Sequence, residues 1–311
     1  MKFDTISTVW ANLENNAKII ILTEADTDRW ELAEKIKQDN EALVSEIILL
    51  DITAGDYEEQ INALSENDLL IVMLTMSGFM EKGYRNIFSP FDKPDNLKSK
   101  YIFIRLDIPE KALLSGLNTD INKVEGIIAD LKRLQKGVKV RVTTDKGMDL
   151  TTQTHRNEHD NFQHHARDSG GNAFLPPTEI AEELVEGSTN GTIVADITVG
   201  EFRIKGKLID ELGIVDEPVI IMVENGLVKD VRGGEIAERL KKCFALLPSE
   251  HHIAVELGHG LSDIEPTGII GVDESMNGTC HIGIGNRELY HLDVVIRNPK
   301  ITVLGAGDYH R

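Results

Sequence analysis

Apolar and polar positions alternate in two different ways along the chain, and the change falls near residue 137. In the first part, short apolar runs such as Lys18–Thr23 alternate with amphipathic stretches such as residues 28–39, as expected of a sheet covered by helices. The other predicted strands are 44–51, 68–75 and 100–106, and the other predicted helices are 57–64 and 120–136. The pattern therefore predicts an α/β scaffold domain over residues 1–137.

From residue 138 the chain changes to short strands separated by glycine and asparagine turns. Asn225 and Gly226 predict a hairpin, because both positions of such a turn favour positive φ. The proline pair at 176–177, followed by acidic residues from Glu179, predicts a helix start. The second part is therefore predicted to be an α+β, β-rich domain over residues 138–311. Its predicted strands are 138–144, 191–199, 218–223, 253–257, 278–284 and 293–296, and its predicted helix is 234–246.

Composition and charge make membrane and nucleic-acid partners unexpected. The 311 residues, of which 41% are hydrophobic, suffice for a core in each of two domains. The longest apolar runs are far shorter than the roughly 20 residues needed to cross a bilayer, so no membrane partner is expected. A net charge of −19 disfavours binding to a phosphate backbone, so nucleic acid is not expected either. The first residues lack the basic start and apolar run of a signal peptide, which predicts a cytoplasmic protein.

Ionisable residues in the predicted strands of the second domain are the strongest candidates for chemistry. His291 and Asp293 are separated by one residue, so in a strand they face the same side. His281 lies in a strand bounded by glycines, and Glu256 lies between apolar neighbours. Each alone fits a hydrogen-bonded core histidine or an exposed acid. Together they favour a metal site, because charged groups in apolar strands need a partner or a cation.

A second histidine motif competes with this cluster. Residues 155–159 (HRNEH) match the His-x-x-Glu-His spacing of inverted zinc peptidases, in which a helix places both histidines on one face. The surrounding residues 151–171 are almost wholly polar and offer no apolar face for a buried helix. We therefore predict a loop that contains His155, His164 and His165, either at the mouth of a cleft or on the solvated surface.

The second domain resembles the aminopeptidase T and aminopeptidase S family of thermophile-type metallopeptidases, and also their relative, the iron-dependent 2,5-dihydroxypyridine dioxygenase. The resemblance lies in the order of short motifs. These are Lys146-Gly147, Pro176 to Glu179, Glu186-Gly187, Gly191 to Val194, Glu224 to Gly226, Val231 to Gly234, Glu256 to Gly258, Asp273-Glu274, Gly278 to Gly283 and His291 to Asp293.

The peptidase resemblance implies a divalent metal cofactor, zinc or cobalt and as a pair of ions, that activates a water. The ligands that it implies are Glu179, Glu256, His281, His291 and Asp293. Either glutamate is also a candidate general base. The implied activity is hydrolysis of a small peptide or amide with a free amino terminus, in a homodimer.

One departure from the peptidases and one likeness to the dioxygenase leave two alternatives open. The peptidases carry a tyrosine where this chain has Glu288, with Tyr290 as a possible replacement, so a family member without catalytic activity is one alternative. The dioxygenase is the other, because its His-Leu-Asp and Arg-Asn motifs resemble residues 291–293 and 297–298. Its iron(II) site would be rebuilt here from His281, His291 and Asp293. Both peptidase glutamates, Glu179 and Glu256, favour hydrolysis.

Overall fold

The structure is a computed structural model that describes residues 2–25, 28–89, 93–105, 107–134, 137–155, 160–161, 164–286 and 288–304. Its contacts divide the chain into two compact units. The first unit comprises Met1–Thr119 and Phe162–Thr178, and the second comprises Asp120–Asn161 and Glu179–Arg311.

The strands of the described residues are, in chain order, β1 (Lys18–Thr23), β2 (Glu46–Asp51), β3 (Leu69–Met73), β4 (Lys100–Ile104), β5 (Lys139–Thr143), β6 (Asp149–Gln153), β7 (Asp160–Asn161), β8 (Asn172–Leu175), β9 (Glu179–Glu183), β10 (Asn190–Ala195), β11 (Thr198–Ile204), β12 (Lys207–Ile214), β13 (Val219–Glu224), β14 (Leu227–Arg232), β15 (Ala254–Gly260), β16 (Thr279–Asn286), β17 (Tyr290–Arg297) and β18 (Lys300–Val303).

The α-helices of the described residues are α1 (Asp28–Asn40), α2 (Glu58–Asn62), α3 (Met76–Met80), α4 (Glu110–Leu117), α5 (Ile121–Leu134), α6 (Glu235–Phe244) and α7 (Ile270–Asp273). A π-helical turn spans Ile6–Trp10, and 3-10 helical turns span Ile52–Ala54, Tyr84–Asn86 and Ser249–His251. Among the described helices, none combines the length and apolar composition that a bilayer crossing needs.

The first unit contains a parallel sheet with the strand order β2-β1-β3-β4-β8. Its central strands are continuous apolar runs, because a parallel sheet is covered by helices and connections on both faces. Every residue of β3 and β4 is accordingly buried. The predicted α/β character of the first part is therefore confirmed as a parallel sheet with helices.

The second unit contains two antiparallel sheets. One has the order β14-β13-β10-β6-β5-β18, and the other, the site sheet, has the order β12-β11-β17-β16-β15-β9-β7. A shared core is formed by the inner faces of both sheets, for example by Val194 and Ile221 from the first and Ile282 and Val294 from the second. Helix α6 adds Leu240 to this core. The predicted β-rich character of this part is confirmed.

The contact-based units differ from the predicted division of the chain into residues 1–137 and 138–311. Strand β8 lies far beyond residue 137 in the chain but pairs with β4 in the first unit. Helix α5 lies before residue 137 but belongs to the second unit. The reason is packing, since Val124, Ile128 and Leu131 of α5 form a buried cluster with Ile180 and Leu261.

Two predicted elements of the second unit were wrong. Glu179 does not start a helix but a strand, because residues 179–183 pair in antiparallel register with β15 and bury Ile180. The single strand predicted over 191–199 is divided between β10 and β11, which belong to different sheets. The hairpin at Asn225 and Gly226 is confirmed, with φ angles of 52° and 78°.

Candidate metal centre

The predicted ligands come from neighbouring strands of the site sheet, in the order β17, β16, β15 and β9. Cys280, Ile282 and Ile284 of β16 are buried in the shared core, so His281 between them points to the opposite face of the sheet. In β17, Leu292 and Val294 enter the same core, and His291 and Asp293 alternate with them. We call this second face of the site sheet the site face.

The first group of possible ligand atoms comes from Glu179, Glu256 and His281, and these atoms all lie within 4.8 Å of one another. Nε2 of His281 is 2.8 Å from Oε2 of Glu179 and 3.6 Å from Oε1 of Glu256. His281 and Glu179 are buried, with exposed fractions of 1% and 7%.

The second group comes from Glu256, His291 and Asp293, again within 4.8 Å of one another. Nε2 of His291 is 3.0 Å from Oδ1 of Asp293 and 3.8 Å from Oε2 of Glu256. Glu256 therefore belongs to both groups and directs one carboxylate oxygen towards each histidine. This is the arrangement of a carboxylate that can bridge two cations.

Buried polar atoms without hydrogen-bond partners indicate whether these residues fit a cation. Oε2 of Glu179 and both ring nitrogens of His281 are buried without a hydrogen-bond partner among the described residues, although Nε2 and Oε2 lie close together. Buried polar groups without partners are costly, and a cation that accepts lone pairs from Nε2 of His281 and Oε2 of Glu179 would remove that cost for these two atoms. Imidazole nitrogen and carboxylate oxygen suit zinc, cobalt, manganese and iron(II). The residues therefore fit a divalent metal.

Two glycines make room for the imidazole rings. A Cβ atom on Gly258, which lies opposite His281 across the strand pair, would be 2.0 Å from Nε2 of that histidine. A Cβ atom on Gly283 would be 2.6 Å from Cε1 of His291 and 2.8 Å from Cβ of Glu256. Any larger residue at either position would displace a ligand. The sequence signal is the repeated acid-or-histidine, apolar, glycine triplet at 256–258 and 281–283, which sequence reasoning did not use.

The charges of the cluster raise the pKa values of both histidines. Burial lowers the pKa of His281, but the carboxylate of Glu179 outweighs burial and raises that pKa well above its usual value. The carboxylate of Asp293 raises the pKa of His291 to about 9. Burial raises the pKa of Asp293, whereas His291 lowers it, and the net direction is downward. A divalent cation at this site would compete with the protons that these raised pKa values favour on the histidines.

The residues proposed as replacements for the peptidase tyrosine lie elsewhere. Glu288 is exposed in the turn before β17. Tyr290 is buried in the shared core, where its hydroxyl lies 2.6 Å from Nδ1 of His252. Residues 156–159 of the second histidine motif lie outside the described residues, and His155 is exposed. His164 and His165 belong to the first unit.

The fold and this cluster define a mixed α/β protein with a histidine and carboxylate cluster on an antiparallel sheet. Its sequence matches the family described as NicX, 2,5-dihydroxypyridine 5,6-dioxygenase, over residues 8–264. The chain therefore belongs to this enzyme family. The matched range includes Glu179 and Glu256 and ends before His281, His291 and Asp293.

Two solved structures share the fold. The 2,5-dihydroxypyridine dioxygenase of Pseudomonas putida KT2440 is 15% identical, with a TM-score of 0.63 over 97% of this chain and 92% of that chain. Wild-type AmpT from Thermus thermophilus is 13% identical, with a TM-score of 0.52 over 99% of this chain and 96% of that chain. A search of curated proteins found no significant match. The fold likeness thus extends to both relatives named from the sequence, while family membership is shown for the dioxygenase.

Proposed function

We propose that the chain is a metal-dependent hydrolase of the aminopeptidase type, acting on a small peptide or amide with a free amino terminus. The observation that carries this proposal is the position of Glu256 between two ligand groups. Each group contains one imidazole and two carboxylates, counting Glu256 in both. Two groups that share one carboxylate are suited to a pair of cations, the arrangement used in two-metal hydrolysis.

The roles of the residues follow from this arrangement. Glu179 and His281 would hold one cation, His291 and Asp293 the other, and Glu256 would contact both. Bound zinc or cobalt ions would polarise the scissile carbonyl and lower the pKa of a water towards neutrality. The three carboxylates supply negative charge that would offset most of the charge of two divalent cations. The general base that accepts a proton from the water would be Glu179 or Glu256, in place of a role as ligand.

Hydrolysis of amino-acid p-nitroanilides tests this function. We expect the metal-loaded protein to release p-nitroaniline, EDTA to abolish the release, and added cobalt or zinc to restore it. Glu256→Gln keeps the shape of the side chain and removes its charge, so turnover should fall by roughly 100-fold or more. The control Glu288→Gln changes an exposed glutamate in a turn and should keep full activity. Fully metal-loaded protein that cleaves no member of a broad peptide panel would contradict the proposal.

Membership of the dioxygenase family favours a second function, ring cleavage by an iron(II) enzyme. An iron(II) oxygenase site commonly uses two histidines and one carboxylate, which here are His281, His291 and Asp293. The two ligand groups each contain a single histidine instead, and for this reason we favour hydrolysis. The discriminating assay is oxygen uptake by anaerobically prepared, iron-loaded protein after addition of 2,5-dihydroxypyridine. Uptake in step with loss of the substrate would establish the second function.

A member of the family without catalytic activity is the third reading. It predicts that the metal-loaded protein binds a peptide but neither cleaves it nor consumes oxygen with a dihydroxypyridine. Measurable turnover in either assay excludes this reading. The homodimer and the choice of zinc or cobalt are parts of the main proposal, and they are tested by sedimentation and by elemental analysis of the purified protein.

A further inference from the structure

The loop over residues 261–278 connects the strand of Glu256 to the strand of His281. Backbone hydrogen bonds close it at its base, where Ser262 donates to Ser275 and Asn277 donates to Ser262, both at 2.7 Å. Every residue of this loop is described. Because its two ends are joined and both lead into ligand strands, the loop is fixed relative to the metal centre.

Asp273 is the internal anchor of this loop. Its side chain is fully buried and accepts hydrogen bonds from the backbone and hydroxyl of Thr267, at 2.7 and 2.8 Å, and from the backbone of Gly268, at 2.9 Å. It also accepts a hydrogen bond from the hydroxyl of Thr198 in β11. A buried carboxylate is stable only when its oxygens are satisfied in this way. Asp273 thus ties the loop to the site sheet.

The loop that Asp273 anchors places Ile270 over Gly200 of β11, near the backbone of Asp293. In β11, Val199 pairs with Val294 of β17 and both enter the core, so Gly200 lies on the site face with Asp293. A Cβ atom on Gly200 would be 3.0 Å from Cγ1 of Ile270 and 3.2 Å from the backbone oxygen of Asp293. Ile270 therefore covers the site sheet next to Asp293, where the missing side chain of Gly200 leaves space.

Ile270 is partly exposed to solvent and can therefore contact a bound ligand. Ile269 and Ile270 are neither buried nor fully exposed, unlike Val272 and Met276, which are buried. A half-exposed isoleucine next to a polar cluster offers apolar surface and no hydrogen-bonding group. A ligand that covers such a surface with an apolar group removes it from water, which is favourable.

We infer that Ile270, positioned by Asp273, is a specificity residue that selects substrates with an apolar side chain next to the reacting group. This inference rests on the proposed hydrolysis for its substrate class, a peptide or amide with an aliphatic amino-terminal residue. Ile270 would contact the substrate side chain. Asp273 would act through the loop, as a positioning residue.

Turnover of L-leucine and L-alanine p-nitroanilides tests the inference in the metal-loaded protein. The ratio of the two kcat/KM values should favour leucine in the natural protein and fall by roughly tenfold in Ile270→Ala. Asp273→Asn should lower the same ratio while metal content stays unchanged. The matched control is Ile220→Ala, which truncates a partly exposed isoleucine of the other sheet and should leave the ratio as it is. An unchanged ratio in Ile270→Ala would overturn the inference.

Binding separates this inference from the proposed function. L-leucine hydroxamate and glycine hydroxamate share an amino group and a metal-chelating group, and only the first has an aliphatic side chain. Calorimetry with the metal-loaded protein should show tighter binding of leucine hydroxamate, with a preference that Ile270→Ala reduces and Ile220→Ala keeps. If Ile270→Ala reduces the binding preference but no p-nitroanilide is cleaved, the proposed hydrolysis is wrong and Ile270 is still supported as a specificity residue. Equal preference in the natural protein and Ile270→Ala overturns the specificity residue, whether or not hydrolysis occurs.

Discussion

At the scale of single residues, the candidate metal centre depends on two glycines, whose lack of a side chain leaves room for the histidine rings. The ring of His281 occupies the space that a Cβ atom on Gly258 would need. The side chains of His291 and Glu256 occupy the corresponding space at Gly283. The sequence could indicate that both histidines belong to one site. It could not indicate that each ring needs a glycine, because this follows from the register of β15, β16 and β17.

Gly258→Ala tests this requirement. The new Cβ atom would lie 2.0 Å from Nε2 of His281, so the ring must move and metal affinity should fall on the order of tenfold or more. Titration of the metal-free protein with zinc, followed by calorimetry, measures the change. The control is Gly126→Ala in helix α5, where a Cβ atom has no neighbour within 4 Å. This control should bind zinc normally and gain about 0.5–1 kcal/mol of stability. Normal zinc affinity in Gly258→Ala would contradict the account.

The raised histidine pKa values predict how the metal-free protein responds to pH. The pKa of His291 rises from 6.5 to about 9 in the folded state. Between these values the folded chain binds more protons than the unfolded chain, so the free energy of unfolding falls as pH rises from 6.5 to 9. Urea unfolding at several pH values measures this slope, and His291→Ala should flatten it. Metal affinity should increase over the same range, because the cation competes with fewer protons. A free energy of unfolding that rises over this range would contradict the assigned pKa shift.

At the scale of elements, alternation along β17 separates the site from the core. His291 and Asp293 lie on the site face, as their spacing predicted, and Tyr290 and Leu292 lie in the core. Tyr290, which the sequence offered as a replacement for the peptidase tyrosine, faces away from His291, and its hydroxyl forms a hydrogen bond with His252. Tyr290 thus contributes to stability and not to the metal centre.

Tyr290→Phe tests this assignment. The change leaves Nδ1 of the buried His252 without its partner, which should cost about 1–3 kcal/mol of stability. Urea unfolding measures that cost, and elemental analysis should find the same metal content as in the natural protein. Loss of metal in a variant that remains folded would place Tyr290 in the metal centre after all.

The elements that sequence patterns failed to predict are those whose pairing partners are distant in the chain. Residues 179–183 carry acids after a proline pair and suggest a helix locally, but pairing with β15 makes them a strand. The apolar run at 191–199 gives no sign that Asp196 and Ile197 separate two sheets. Short-range periodicity reports which residues share a face, and it does not report which strand lies alongside.

At the scale of the whole molecule, the sequence predicted the secondary-structure class of the two parts better than their boundaries. A sheet covered by helices in the first part and a β-rich second part were both predicted. The sequence did not predict that β8 pairs in the first unit or that α5 packs in the second, because both depend on contacts between distant segments. The resemblance in motif order named five candidate ligands, whereas the direction of the two Glu256 oxygens towards two histidines became visible only in the structure.

Metal should stabilise the folded chain, because the ligand groups combine residues from four strands that come together only when the sheet forms. A ligand that binds only the folded state adds about 2.7 kcal/mol at 100 times its dissociation constant. Thermal unfolding with zinc should therefore occur at a higher temperature than in EDTA. The difference should shrink in Glu256→Gln and persist in Glu288→Gln. An unfolding temperature that is the same in zinc and in EDTA would count against a site built from these strands.

The number of metal ions per chain is the most direct test of the central claim that Glu256 joins two cation sites. Elemental analysis of zinc-saturated, desalted protein should find two ions in the natural chain and one in each of His281→Ala and His291→Ala. His251→Ala, outside the cluster, serves as the matched control and should keep both ions. One ion in the natural chain and none in either cluster variant would mean a single shared site, and would contradict the account.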